Sequence, residues 1–146
     1  MIYKIISLQI PQHWDMIKYA LSKTDGLRDD EIMISERFNY ILAGLLNDRM
    51  HCLVRVDEET QKIKTIMLTE IHESTISKNR YMKILCLYAF EFTPAESWDR
   101  DWDFVQRFAE SLKCEEIVFE SGNHRVMDLA KRVGFVKRFE TYGMKL

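Results

Sequence analysis

The run YMKILCLYAFEF, residues 81–92, is apolar with hardly a break, and it constrains the fold more than any other stretch of the chain. A half-buried strand alternates apolar and polar residues, whereas a run of this kind marks a central strand covered on both faces. The sheet that contains it must therefore carry helices on both sides. Pro11 opens a predicted helix over 11–23 with Trp14, Ile17 and Leu21 on one face. A second helix reads over 29–47, where Ile34, Phe38, Ile41 and Leu45 recur at three- and four-residue intervals. It starts with Asp29, Asp30 and Glu31, which suit a helix N-terminus. A third helix covers 94–112 and buries Trp98, Trp102, Val105, Phe108 and Leu112. The fourth covers 123–133, with Val126, Leu129 and Val133 as its apolar stripe and Gly134 at its exit.

Shorter strand patterns fill the spaces between these elements. IYKIISL makes a first strand over 2–8, and MHCLVRV with KIKTIMLTEI makes a hairpin around the polar turn DEETQ. EEIVFES is a later short strand, and FVKRFETYGMKL is expected as the closing one over 135–146. The order is β-α-α-β-β-β-α-β-α-β, an α/β arrangement around one mixed sheet. A chain of 146 residues suits one domain, 1–146, with a single ordinary core, and is short for two.

Composition narrows the function classes. Hydrophobic residues at 47% and charged residues at 30% fit a folded globular chain rather than a disordered or membrane one. The sequence has neither an apolar stretch of bilayer length nor the features of a secretory signal at its start, so a cytoplasmic protein without a membrane partner is expected. A net charge of −2 argues against a nucleic-acid partner. Cys52, Cys86 and Cys114 are odd in number and lie in or beside apolar strand-like segments, the pattern of buried reduced thiols. His13, His51, His72 and His124 show no metal-ligand spacing, so no metal is expected.

The run from Glu120 to Phe135, ESGNHRVMDLAKRVGF, together with the element order and the terminal TYGMKL, resembles the GNAT superfamily of acyl-CoA-dependent N-acyltransferases. In that family an Asn is commonly followed by a small residue at +3, an aromatic at +7 and Gly-Phe at +11 and +12. Here Asn123 is followed by Val126, Ala130, Gly134 and Phe135 at those offsets. The resemblance spans essentially the whole chain. It implies a GNAT-like fold and an N-acetyltransferase with acetyl-CoA in a V-shaped opening between the two central parallel strands. It further implies pantetheine contacts from the backbone where the strand LYAFEF ends, pyrophosphate held by a glycine-rich turn, a base for the substrate amine and a Tyr for the leaving thiolate.

Carried onto this chain, the family pattern makes Glu91 the general base, Phe92 of FEFTP a cofactor-binding backbone position and Asn123 a second cofactor contact. Tyr142 becomes a candidate acid, with Tyr88 another. Each has a plainer reading: Glu91 as a solvated strand-end carboxylate, the tyrosines as packing residues, and Asn123 as a helix cap. The match fails at the phosphate turn, because PAESWDRDW contains no glycine, while close approach to backbone N–H groups favours residues without a Cβ. Thr93, Pro94 and Glu96 read instead as a capping box, and Glu96, Asp99, Asp101 and Asp103 crowd the helix start with Arg100 alone to offset them. The aromatic at +7 is also missing, with Ala130 in its place.

Three functions fit these residues. The first is an atypical N-acyltransferase acting on a small-molecule or protein amine. The second is a catalytically inactive GNAT-fold binding or assembly protein, such as a phage virion component, with a possible homodimer. The third is a domain binding another small ligand in the same cleft, within the cluster Tyr88, Phe90, Phe92, Trp98 and Trp102.

Overall fold

In the computed structural model, residues 1–24, 31–121, 123–138, 140 and 142–146 are described, the side chains of 31–34 excepted. Four helices and five strands follow in the order β1 (Ile2–Ile5), α1 (Ile10–Ser22), α2 (Glu31–Leu46), β2 (Met50–Val56), β3 (Ile63–Glu73), β4 (Arg80–Ala89), α3 (Ala95–Ser111), β5 (Glu116–Phe119) and α4 (His124–Arg132). The first strand is shorter than its apolar run suggests. Residues Ser7–Gln9 turn as a 3₁₀ segment leading into α1, and the Gln9 side-chain oxygen accepts from the Ile6 N–H at 3.3 Å. Asp29, Asp30 and the expected start of the second helix lie outside the described residues, as does the Ile34 side chain.

The five strands form one sheet in sequential order, antiparallel except for the parallel pair β4 and β5. Alternation along the strands divides the core in two. Cys52 and Val54 of β2 and Ile66 and Leu68 of β3 pack with Ile10, Ile17, Ala20 and Leu21 of α1 and Leu45 of α2. Leu53 and Met67, one residue out of phase, pack on the other face with Val105, Trp102 and Phe108 of α3. The first face is the larger core.

The unbroken apolar run does sit centrally, between β3 and β5. Its regular part ends at Ala89, however, so Phe90 to Phe92 follow the strand. Cys52 and Cys86 are buried, Cys114 is partly buried, and all three are free thiols. Burial pushes the Cys52 thiol up to about 12, which keeps it protonated and unreactive.

The expected closing strand over 135–146 has no strand assigned among its described residues. Its path nevertheless follows β5. Phe135 meets Phe119 edge-on at 5.0 Å, and Arg138 forms an ion pair with Glu116. Both contacts are three residues apart on each segment and run in opposite directions, the relation of an antiparallel neighbour.

Candidate active site

Two irregularities open the sheet at one place. The pairing of β4 with β5 covers Tyr81 to Ile84 and stops at Ile84 opposite Phe119. Immediately beyond, the register of β4 against β3 skips Leu85, because Leu68 pairs with Cys86 and Thr69 with Ile84. The extra residue is a β-bulge, which bends its strand and sharpens the local twist. Its effect is visible in the side chains: Leu85 and Cys86 both pack toward the α1 core, while Ile84 and Leu87 pack on the other face. From Leu85 to Ala89, β4 has no partner from β5.

The opening leads into a groove of about 490 Å³, counting its solvent-open part. Ile84 and Leu87 of β4 and Phe119 of β5 line its base, Trp98 and Trp102 of α3 one wall, and Val126, Leu129 and Ala130 of α4 with Val133 at its C-cap the other. Phe135 wedges between Trp102 and Phe119, at 5.0 Å from each ring. Across the rim Asp99 accepts from the Arg132 guanidinium at 3.0, 3.2 and 2.8 Å, tying α3 to α4. Those charge-assisted bonds hold the Asp99 carboxyl below its usual range.

The ends of α4 are built as the sequence pattern predicts. Asn123 is the N-cap, its Oδ1 accepting from the N–H groups of Arg125 at 2.9 Å and Val126 at 3.4 Å. At the other end Gly134 takes φ 100°, Phe135 N–H donates to Ala130 O at 3.0 Å and Gly134 N–H to Lys131 O at 3.2 Å. These two bonds make a Schellman exit, which needs a residue free to adopt the left-handed conformation. The exit also aims Phe135 into the groove.

The start of α3 differs from the capping box read in the sequence. Pro94 is the N-cap, without a side-chain bond, and Thr93 is buried, its hydroxyl accepting from Arg55 at 2.5 Å. Arg55 also donates to Thr65 at 3.2 Å and lies 3.3 Å from Asp101, with both charged side chains largely buried. Burial pushes the Asp101 carboxyl up and the Arg55 guanidinium opposes that rise. The acidic crowding is therefore offset more fully than by Arg100 alone. Asp101 pairs with Arg55, Asp103 with Arg107 and Asp99 with Arg132. Among the described residues no cap side chain occupies the first N–H groups of the helix.

The proposed site residues fall into three places. Glu91 and Phe92 follow β4: Glu91 is 60% exposed and paired with Lys64 of β3 at 2.5 Å, and Phe92 is 77% exposed. Arg125, in the first turn of α4, lies 5.1 Å from the centroid of the Phe92 ring, which brings Phe92 beside the helix that Asn123 caps. Tyr142 stands apart, 86% exposed with its hydroxyl donating to Glu140 at 2.8 Å, and does not line the groove. The aromatic cluster expected as one pocket is divided. Trp98 and Trp102 wall the groove, Phe92 is outside it, and Tyr88 and Phe90 pack toward α1.

Sequence reasoning missed the Arg55 anchor, whose hydroxyl partners lie 10 and 38 residues away and whose carboxylate partner is Asp101. It also missed Tyr19, which joins Tyr88 and Phe90 from α1.

No family model and no curated protein matches this chain. Among solved structures it is similar to a predicted acetyltransferase from Clostridium acetobutylicum, determined with acetyl-CoA, at 15% identity and a TM-score of 0.74 over 99% of this chain and 95% of that one. It is similar also to a GNAT family acetyltransferase from Staphylococcus aureus, at 19% identity and a TM-score of 0.65 over 100% and 98%. A third is an aminoglycoside acetyltransferase from an uncultured soil metagenomic sample in complex with sisomicin, at 13% identity and a TM-score of 0.68 over 100% and 95%. The chain has the fold of the GNAT acetyltransferases.

Proposed function

We propose that this chain is an N-acetyltransferase that takes its acyl group from acetyl-CoA and gives it to an amine. The observation that carries this reading is the coincidence of the bulge at Leu85 with the end of β4–β5 pairing, which opens the sheet onto an apolar groove. The residues present fit the donor. Backbone groups of Leu85 to Ala89 without a β5 partner suit the amides of the pantetheine arm, and the apolar lining suits its carbon skeleton. The uncapped N–H groups at the start of α3 suit a pyrophosphate, although residues with a Cβ stand where a glycine turn would bring it closer. We assign Phe92 and Asn123, both at the start of α4, to the donor as well.

Acetyl-CoA, when bound, supplies a thioester carbon to which the amine nitrogen bonds as the C–S bond breaks, the sulfur leaving with the electron pair. The chain must accept one proton from that nitrogen, and we assign this to the Glu91 carboxylate, held by Lys64 and open to solvent. The sulfur regains a proton from water. Tyr142, bonded to Glu140 on the exposed segment, would need that segment to fold over the groove to serve instead, and Tyr142→Phe is expected to leave the rate within about twofold.

Calorimetric titration with desulfo-CoA tests the reading directly. Binding should raise the unfolding free energy, by about 2.7 kcal/mol when ligand reaches a hundredfold excess over Kd. Absence of heat and of stabilisation at millimolar ligand would overturn it. A non-catalytic assembly role is favoured by one observation, the exposure of Val136, Tyr142, Met144 and Leu146 after α4. It requires self-association, or a bound partner, that light scattering would detect.

A further inference from the structure

Leu87 and Tyr88 are neighbours on the stretch of β4 that β5 leaves unpaired, and successive strand residues point to opposite faces. Leu87 lines the groove, and Tyr88 packs on the α1 side. There three rings converge. Tyr19 of α1 meets Tyr88 edge-on at 5.9 Å and lies nearly parallel to Phe90 at 6.3 Å, while Tyr88 and Phe90 meet edge-on at 5.1 Å. The cluster has an open side, because Tyr19 remains 50% exposed.

That side already carries an ammonium, since Lys23 Nζ lies 5.4 Å from the centroid of the Tyr19 ring. Ring faces are electron-rich and attract cations, the more so where water is partly excluded. Glu91, the residue assigned above to take a proton, follows Phe90 directly in the chain. Donor groove and aromatic cluster thus lie on opposite faces of the sheet at the end of β4.

Resting on the acyl-transfer reading, we propose that Tyr19, Tyr88 and Phe90 seat the acceptor, and that the acceptor is a diamine or polyamine. Its second ammonium replaces Lys23 on the Tyr19 face while the reacting nitrogen reaches the gap between β4 and β5. A monoamine of equal length lacks the charge that the seat reads.

The test compares 1,4-diaminobutane with 1-aminobutane by calorimetry on the full chain, with and without desulfo-CoA. The diamine should bind at least tenfold tighter. Tyr19→Leu, a change at a half-exposed position, should abolish that preference, and Lys23→Gln, which removes the internal competitor, should strengthen diamine binding about threefold. Equal binding of the two amines, or a preference that survives Tyr19→Leu, would overturn the seat. Desulfo-CoA titrated alone reports on the donor reading separately, because it does not involve the rings. A chain that binds desulfo-CoA but ignores the second charge has lost the seat and kept the groove, whereas one that prefers the diamine without binding desulfo-CoA has lost acyl transfer and kept the cation site.

Discussion

His51 shows how one buried side chain gives this fold a pH dependence. It lies on β2 with 4% of its surface exposed, its ring edge-on to Phe108 at 5.2 Å and its Nδ1 without a hydrogen-bond partner among the described residues. Burial, with the positive charges of Lys4 and Arg80 adding to it against the opposing pull of Asp48, lowers its pKa to about 4. In the unfolded chain the imidazole takes up a proton near its ordinary value of 6.5. Between those values the unfolded state binds more protons, so stability falls as the pH is lowered from about 6.5 to about 4 and levels off below. The loss is roughly 2–3 kcal/mol. Urea unfolding near pH 4 and near pH 7 should show it, and His51→Leu should flatten that part of the profile.

Asn123 allows a second test at the same scale. Replacing it with Ala should cost about 1 kcal/mol through the lost cap, while Asp should keep the cap. Donor affinity retained by Asn123→Asp would mean that the side chain acts on the donor only through the helix. The cap and the Gly134 exit were both legible in the sequence because their partners lie within five residues. Thr93 was not, because a local capping pattern competes there with a distant guanidinium. The hydroxyl that would have capped α3 is drawn inward to Arg55, 38 residues earlier in the chain.

Among the elements, α3 is held in place by such distant contacts. Arg55 joins β2 to Thr93 before the helix and to Asp101 in its second turn, so one guanidinium sets how the wall bearing Trp98 and Trp102 meets the sheet. Arg55→Met leaves the largely buried Asp101 carboxylate without its cation and should cost about 2–4 kcal/mol, and Asp101→Asn, which leaves the Arg55 guanidinium charged and without its carboxylate, should be destabilising as well. Chemical denaturation of the two variants and of the double variant would measure the coupling.

The Leu85 bulge was equally hidden. A bulge is seen in sequence as a break in alternation, and a strand apolar on both faces has no alternation to break. The closing segment shows the opposite discrepancy. Its alternation reads as a strand, and Phe135 and Arg138 do lie along β5 as a strand's side chains would, yet the backbone ladder is missing among the described residues.

At the scale of the whole molecule, the sheet separates a larger closed core from a smaller one that stops short of closure, and the groove is where the second core is left incomplete. Half-buried Trp98, Trp102 and Phe135 line a cavity that a fold selected for stability alone would have filled. Ala130 is the smallest side chain on that lining and sits at the groove's α4 wall, 9% exposed. Ala130→Leu would extend a branched chain into the open volume. Because the space faces solvent, the added methyl groups gain contacts with Trp102 and Phe135 without being forced into packed neighbours, so the stability change should stay within about 2 kcal/mol. A pantetheine arm that needs the same volume should then bind at least tenfold more weakly. Thermal unfolding and desulfo-CoA titration of the variant give both quantities. Undiminished affinity in a folded Ala130→Leu protein would place the arm outside the groove, and the opening beside β4 would need another explanation than acyl transfer.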